Sequence, residues 1–249
     1  MHIRARKHNF GGNIPMASAR EQVLRVAKTR ERSILRNVYL WMTGGLTLTA
    51  LVSYTVASSP GLFNSLVATP GMFMVLIIAQ FGLVIYLSAR LNHMKASSAV
   101  LSFIIYALLN GITLSVIFYA YTGITISRAF FTTAAAFAGM SIYGMTTKRD
   151  LSSIGSYLVM GLWGIIIATL VNFFIGSSTI YYMVSYIGLL VFLGLTAWDT
   201  QIIMKWNQSY GSSMTEEAYV KLSILGALKL YLDFINMFLF ILRIFGRRN

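Results

Sequence analysis

Cysteine is absent from all 249 residues, which rules out a disulfide, a thiolate nucleophile and a Cys-ligated metal, and leaves the redox compartment open. Histidine is almost as scarce. His2, His8 and His93 lie apart and outside the apolar runs, and no His/Asp/Glu cluster has metal-site spacing within one segment, so a zinc or iron centre is not expected. Acidic side chains number seven. Glu21, Glu31, Asp150, Glu216 and Glu217 fall in tails or loops, whereas Asp199 in LGLTAWDTQ and Asp233 in LKLYLDFINMF fall inside the last two apolar runs. A charged side chain in hydrocarbon costs at least a few kcal/mol, so this pair is where function is to be sought.

What the chain has in abundance is apolar sequence. Hydrophobic residues make up 57% and charged residues 11%, and runs of about 20 apolar residues recur, the pattern of a polytopic membrane protein rather than a soluble enzyme. Hydropathy places spans at 38–57, 72–89, 97–120, 126–145, 154–174, 181–204 and 222–244. Backbone polar groups in lipid must be satisfied within the segment, and these runs are too long and continuous for barrel strands, so an all-α fold of seven transmembrane helices follows. No stretch is left for a separate soluble domain. The division expected is a basic, flexible cytoplasmic tail over 1–36 and a transmembrane domain over 37–249. Gly161, Gly164, Ala134 and Ala138 are the small residues expected to permit close helix approach.

The formal charge of +13 raises the question of nucleic acid, but no recognition motif or folded basic domain accompanies it. Membrane topology accounts for it better. Arg4, Arg6, Lys7, Arg20, Arg25, Lys28, Arg30, Arg32 and Arg36 precede the first span, and Arg90, Lys95, Lys148, Arg149, Lys205 and Lys221 flank every second loop. The positive-inside rule then puts the N-terminus and those loops in the cytoplasm. Seven crossings would deliver Arg247 and Arg248 to the outside, and a re-entrant last segment is the alternative. An Arg-rich, acid-poor tail also fits a mitochondrial presequence, so the mitochondrial inner membrane is the alternative to a bacterial one.

At 100° per residue, Gly226, Lys229, Asp233, Asn236, Phe240 and Arg243 project within a narrow arc of the last span, and Gly188, Phe192, Thr196 and Asp199 share a face of the sixth. A polar stripe of that kind is expected to face other helices or a water-filled path. Asp199 lies roughly 9 Å from the cytoplasmic end of its helix and Asp233 roughly 16 Å above the start of its own, so the two can meet in the inner half of the bilayer. Arg90 can reach the same layer with its long side chain. Two close carboxylates in a poorly solvated site cannot both ionise cheaply; they share a proton and titrate as a pair, a ready pH sensor. Deprotonated, they form a hard-oxygen site for transient Ca²⁺, short of the six to eight oxygens of a tight one.

Two enzyme-like or photoreceptor readings are disfavoured. An intramembrane aspartyl protease needs room for substrate backbone, yet Leu230, Tyr231 and Leu232 precede Asp233. A retinal protein would use Lys229, but that residue is about seven positions into its helix and snorkelling to the interface is the simpler account.

LTAWDTQ, SILGALKLYLDFINMFLFILRIFG, TTKRDLSS and IIAQFGLVIYLSAR together resemble the BAX inhibitor-1 family, in particular its bacterial branch of transmembrane BAX inhibitor motif proteins, from about Asn37 to the C-terminus. The resemblance implies seven helices with the last one central, and a pH-dependent calcium leak of the bacterial inner membrane with no cofactor, Ca²⁺ being the transported ion. It implies that Asp199 and Asp233 form the sensor and that Arg90 acts as a latch on Asp199, with Asn236, Lys229 and Thr196 as path or support residues. Trp198 stands where many relatives have tyrosine. Gln80 stands in the second span where some relatives have an acidic residue nearby, a departure that puts an additional carboxylate along the path in doubt. The alternative within the family is an adaptor or regulator, without transport, whose partner is a membrane protease or a protein of stress and cell-death pathways.

Overall fold

A computed structural model describes residues 16–210 and 214–246, with side-chain packing over the same residues except 16–33, 92 and 207–210. The expectations for residues 1–15, and for Arg247 and Arg248, lie outside the described residues. Among the described residues all regular structure is helical. In chain order it comprises α1 (Met16–Ser58), α2 (Pro60–Leu66), α3 (Pro70–Arg90), a 3-10 turn (Leu91–His93), α4 (Ala96–Leu114), α5 (Ile117–Ala120), α6 (Gly123–Thr146), α7 (Ser152–Ile175), α8 (Ser178–Tyr210) and α9 (Glu216–Phe245).

Six of these stretches are long and apolar enough to cross a membrane: Ile34–Ser58, Pro70–Arg90, Ala96–Ala120, Ser152–Ile175, Ser178–Trp206 and Glu216–Phe245. The expected fourth span, 126–145, lies inside α6, which has the length but not the hydropathy. Its buried face is Ala129, Thr133, Phe137, Ser141 and Gly144, and Arg128 together with the threonine, serine and glycine positions lowers its mean hydropathy. The start of the first helix also differs from expectation. Residues 16–36, read as tail, continue straight into the first span, because Ala, Arg, Glu, Leu and Lys are strong helix formers. Ile34 is already buried in the core.

Local signals set the boundaries. Pro60 and Pro70 open α2 and α3 at positions where a missing N–H costs nothing. Thr215 caps α9 by accepting from the Ala218 N–H at 3.2 Å, with Glu216 and Glu217 beside the positive end of the helix. Gly176 ends α7 at φ 70°, a left-handed conformation that favours glycine. The third span is not one straight helix: it turns at Ser115, whose Oγ donates to the Ile112 carbonyl at 2.7 Å, and resumes as α5.

α9 occupies the centre. Its buried share is the largest of any span, and it packs against α8, α1, α6 and α4. The expected central position of the last helix is thus met by direct packing on these four, while α3 packs on α4 and α7 on α8. Of the small residues expected at helix contacts, Gly161 does face Val191 of α8, but a side chain at Gly164 would meet nothing and Ala138 is exposed. The tightest approaches lie elsewhere: Gly144 of α6 rests on the Ala197 backbone of α8, and Gly111 of α4 on Val52 and the Thr49 carbonyl of α1. Thr49 Oγ1 donates to the Ala107 carbonyl at 2.9 Å, which leaves it to accept from Tyr231 at 2.7 Å and ties α1, α4 and α9 together in the core.

Two contacts gather the basic loops on one face. The Ala96 N–H donates to Glu217 at 3.3 Å, joining the starts of α4 and α9, and Lys205 Nζ contacts Asp150 Oδ1 at 2.6 Å, joining the end of α8 to the α6–α7 loop.

Candidate functional site

The α8–α9 interface carries the two aspartates. Gly188 lies under the Phe240 ring and Gly226 against Ile203, so the helices approach closely along their length and bring their polar residues to one level. Asp199, 5% exposed, accepts from Lys229 Nζ at 2.9 Å through Oδ1. The same ammonium sits 5.8 Å from the centre of the Trp198 ring. One turn further along α9, Asp233 is 4% exposed, and its Oδ2 is buried without a hydrogen-bond partner, as is Trp198 Nε1. Asp199, Lys229 and Asp233 all line one cavity, with Lys229 bonded to Asp199.

These residues border a cavity of about 890 Å³ between α3, α4, α7, α8 and α9. Lys229, Asp233, Asn236 and Arg243 line it along α9, a rise of roughly 21 Å at 1.5 Å per residue. Across from them are Gln80 and Ser88 of α3 and Thr169 of α7, set among leucine, isoleucine, phenylalanine and valine side chains. Gln80 Nε2 donates to the Leu109 carbonyl at 2.9 Å and to Thr113 Oγ1 at 2.8 Å, which fixes its amide in the wall. Asn236 Nδ2 donates to the Leu232 carbonyl at 2.8 Å, one turn back on α9. At the far end the Arg243 guanidinium lies 5.4 Å from the Tyr181 ring and 5.6 Å from that of Phe240. Charge and amide groups thus run down one side of a largely apolar cavity.

Two expectations change. Lys229 does not snorkel to the interface; it turns inward, because a carboxylate at its own level on the adjoining helix satisfies the ammonium better than the apolar surface around it. Arg90, expected on Asp199, is exposed at the end of α3 and forms no ion pair among the described residues. Its helix packs on α4 rather than α8, and Lys229 holds the position instead. Thr196, expected as a path or support residue, is fully buried with its Oγ1 donating to the Phe192 carbonyl at 2.8 Å, and it does not line the cavity.

The glutamine of the same motif was not singled out from the sequence, yet it has a defined task. Gln201 accepts from the Leu151 N–H at 2.9 Å and donates to the Arg149 carbonyl at 2.9 Å, clamping the α6–α7 loop to α8 two residues beyond Asp199. In that loop Lys205, with the Ser152 N–H, holds the Asp150 carboxyl down at about 2. Among the described residues no group of three or more His, Asp or Glu could hold a metal, and the aspartate pair alone is short of a tight Ca²⁺ shell.

A helical membrane bundle with paired buried aspartates on its last two helices defines the class. The family model described as "Inhibitor of apoptosis-promoting Bax1" (Bax1-I) matches residues 31–249, and the chain belongs to that family. It is 46% identical over 218 residues to the inner membrane protein YbhL of Escherichia coli strain K12, covering 88% of this chain and 93% of that one. An uncharacterized protein of Borreliella burgdorferi is 41% identical over 219 residues, covering 88% and 94%. An uncharacterized membrane protein of Streptococcus pyogenes serotype M3 is 37% identical over 214 residues, covering 85% and 91%. The family and the six apolar helices make this an integral protein of the bacterial inner membrane.

Proposed function

We propose that this protein is a calcium leak channel whose conductance follows pH through the Asp199–Asp233 pair. In this reading α6 is a seventh crossing, the N-terminus and basic loops are cytoplasmic, and no cofactor is needed, Ca²⁺ being the ion that passes. The supporting observation is the cavity that runs along the polar face of α9 past both carboxylates. Hydrocarbon-facing helices have no use for such a row, whereas an ion path requires one.

The working of the site follows from its charges. With both aspartates ionised and Lys229 protonated, the group carries one net negative charge facing a narrow, weakly screened passage, which concentrates cations there. Lys229 on Asp199 is the latch across the α8–α9 interface, the role first expected of Arg90. Protonating Asp199 removes the ion pair, leaves an ammonium without its counter-charge and loosens the contact between the helices. The same proton weakens the attraction for Ca²⁺, so conductance is set by two opposed effects of one titration. No catalytic role is proposed.

The test is passive Ca²⁺ flux into liposomes that hold the purified full-length protein and a trapped calcium dye, measured from mildly acid to mildly alkaline pH. Flux above protein-free vesicles that varies with pH is expected. Equal flux with and without protein at every pH overturns the channel and leaves the adaptor reading.

A further inference from the structure

A second cavity, of about 800 Å³, lies on the opposite side of α9, between α1 and α6. Its α1 wall runs from Tyr39 to Tyr54 and its α6 wall from Phe130 to Met145, with Phe234 of α9 as the floor. Each wall is a single helical face about 22 Å long. It ends against the Tyr54–Phe118 ring pair, whose centroids are 6.1 Å apart. One leaflet of a hydrocarbon core about 30 Å thick is about 15 Å deep, so the groove can take one acyl chain along its whole length.

An apolar groove by itself does not hold a lipid, because the surrounding tails are equally apolar. Two features here distinguish a bound lipid from bulk. Ser141 lines the groove and is 3% exposed, yet its Oγ has no hydrogen-bond partner, and neither has the Tyr39 hydroxyl. Other hydroxyls of α6 are spent on their own helix: Thr133 donates to the Ala129 carbonyl at 2.7 Å and Thr146 to that of Ile142 at 2.8 Å. Tyr39 and Ser141 stand at matching levels. Tyr39 lies one turn beyond Arg36 on α1, and Ser141 five residues before the end of α6 at Thr146, close to Lys148 and Arg149. The Tyr39 ring meets Phe137 edge-on at 6.4 Å, one turn from Ser141. That is the level at which the ester carbonyls of a phospholipid lie beneath its headgroup. The second feature is charge. Arg36 precedes Tyr39 by one turn on α1, and Lys148 and Arg149 follow directly on α6; all three are exposed and without an ion pair among the described residues.

We infer that the α1–α6 groove is a binding site for one anionic phospholipid of the cytoplasmic leaflet: an acyl chain in the groove, its ester carbonyl at Tyr39 and Ser141, its phosphate at Arg36, Lys148 and Arg149. Rotation about χ1 turns Ser141 Oγ towards the carbonyl. The inference rests on the proposed topology, with α6 in the membrane, and not on transport, so lipid binding and flux succeed or fail independently.

The experiment is native mass spectrometry of the purified full-length protein in detergent with phosphatidylglycerol or phosphatidylcholine of the same acyl chains. One phosphatidylglycerol should be retained roughly fivefold or more over phosphatidylcholine, the factor that a single basic residue near an anionic headgroup supplies. Ala138→Phe, which fills the groove from an exposed position, should abolish retention. Combined Tyr39→Phe and Ser141→Ala should lower retention of both lipids, and Arg36→Gln with Lys148→Gln and Arg149→Gln should erase the preference between them. Equal retention of the two lipids by the wild type overturns the inference. So does retention by the folded Ala138→Phe protein, or a lipid-free dimer that this substitution disrupts, which would make the groove a contact between two copies. Should Ala138→Phe not fold, the hydroxyl and charge variants decide: unchanged retention and preference in both overturns the site.

Discussion

Lys229 of α9 donates to Asp199 of α8 at 2.9 Å, while Asp233, one turn away on the same face of α9, keeps a buried carboxylate oxygen with no partner. The three groups form an unequal set: one carboxylate is bonded to a cation across a helix interface, and the other keeps its Oδ2 without a hydrogen-bond partner.

Asp199→Asn and Asp233→Asn are each expected to abolish the pH dependence of Ca²⁺ flux in proteoliposomes. Asparagine keeps the volume and hydrogen-bonding reach of aspartate but cannot ionise, so it removes the coupling between the two charges. Retention of the wild-type pH response by both folded variants would reduce the aspartates to structural polar residues.

Asp150→Asn provides the control with a known sign. With its carboxyl held at about 2 in the folded protein against an ordinary value near 4, Asp150 is ionised throughout the neutral range. Its bond to Lys205 is complete above the ordinary value and is lost only as pH falls from about 4 through about 2. The variant should therefore leave the flux–pH profile near neutrality unchanged; a displaced profile would assign the sensor to the α6–α7 loop.

Lys229→Met and Arg90→Ala separate the two candidate latches. Replacing Lys229 leaves Asp199 buried without a counter-charge, a loss on the order of 3 kcal/mol across the α8–α9 contact, and should raise basal leak as Asp199→Asn does. Arg90→Ala, at an exposed position without an ion pair, should change basal leak less than about twofold, within the usual small effect of surface changes. The reverse ranking in a calcium-dye assay would return the latch to Arg90.

Gly144→Ala and Gly164→Ala contrast a close helix approach with an open one. A methyl at 144 falls on the Ala197 backbone, which cannot rotate aside, whereas one at 164 meets nothing within 4 Å. Thermal unfolding in detergent should show a loss of roughly 1–3 kcal/mol for the first and no more than about 0.5 kcal/mol for the second.

Topology is open to a direct check. A reporter on the N-terminus should be cytoplasmic, and one inserted at Asn64, exposed on α2 between the first two spans, should be outside. A cytoplasmic signal at Asn64 would invert the bundle and move the proposed lipid site to the other leaflet.

Helix positions and the family were legible in the chain itself, because apolar length and helical periodicity are local properties. The burial of Asp199 and Asp233 was legible too, since both lie inside apolar runs long enough to be helices of the bundle. The neighbour of each polar residue was not. Periodicity told that Lys229 lies on the face of Asp233, but whether it snorkels or turns inward depends on which helix stands opposite, and that was settled by Gly188 and Gly226 letting α8 and α9 approach. Arg90 had the reach for Asp199, yet α3 docks on α4 and leaves it outside. The groove between α1 and α6 had no signature at all, because an unfilled space belongs to two helices far apart in sequence, α1 ending at Ser58 and α6 starting at Gly123, and exists only once both have packed on α9.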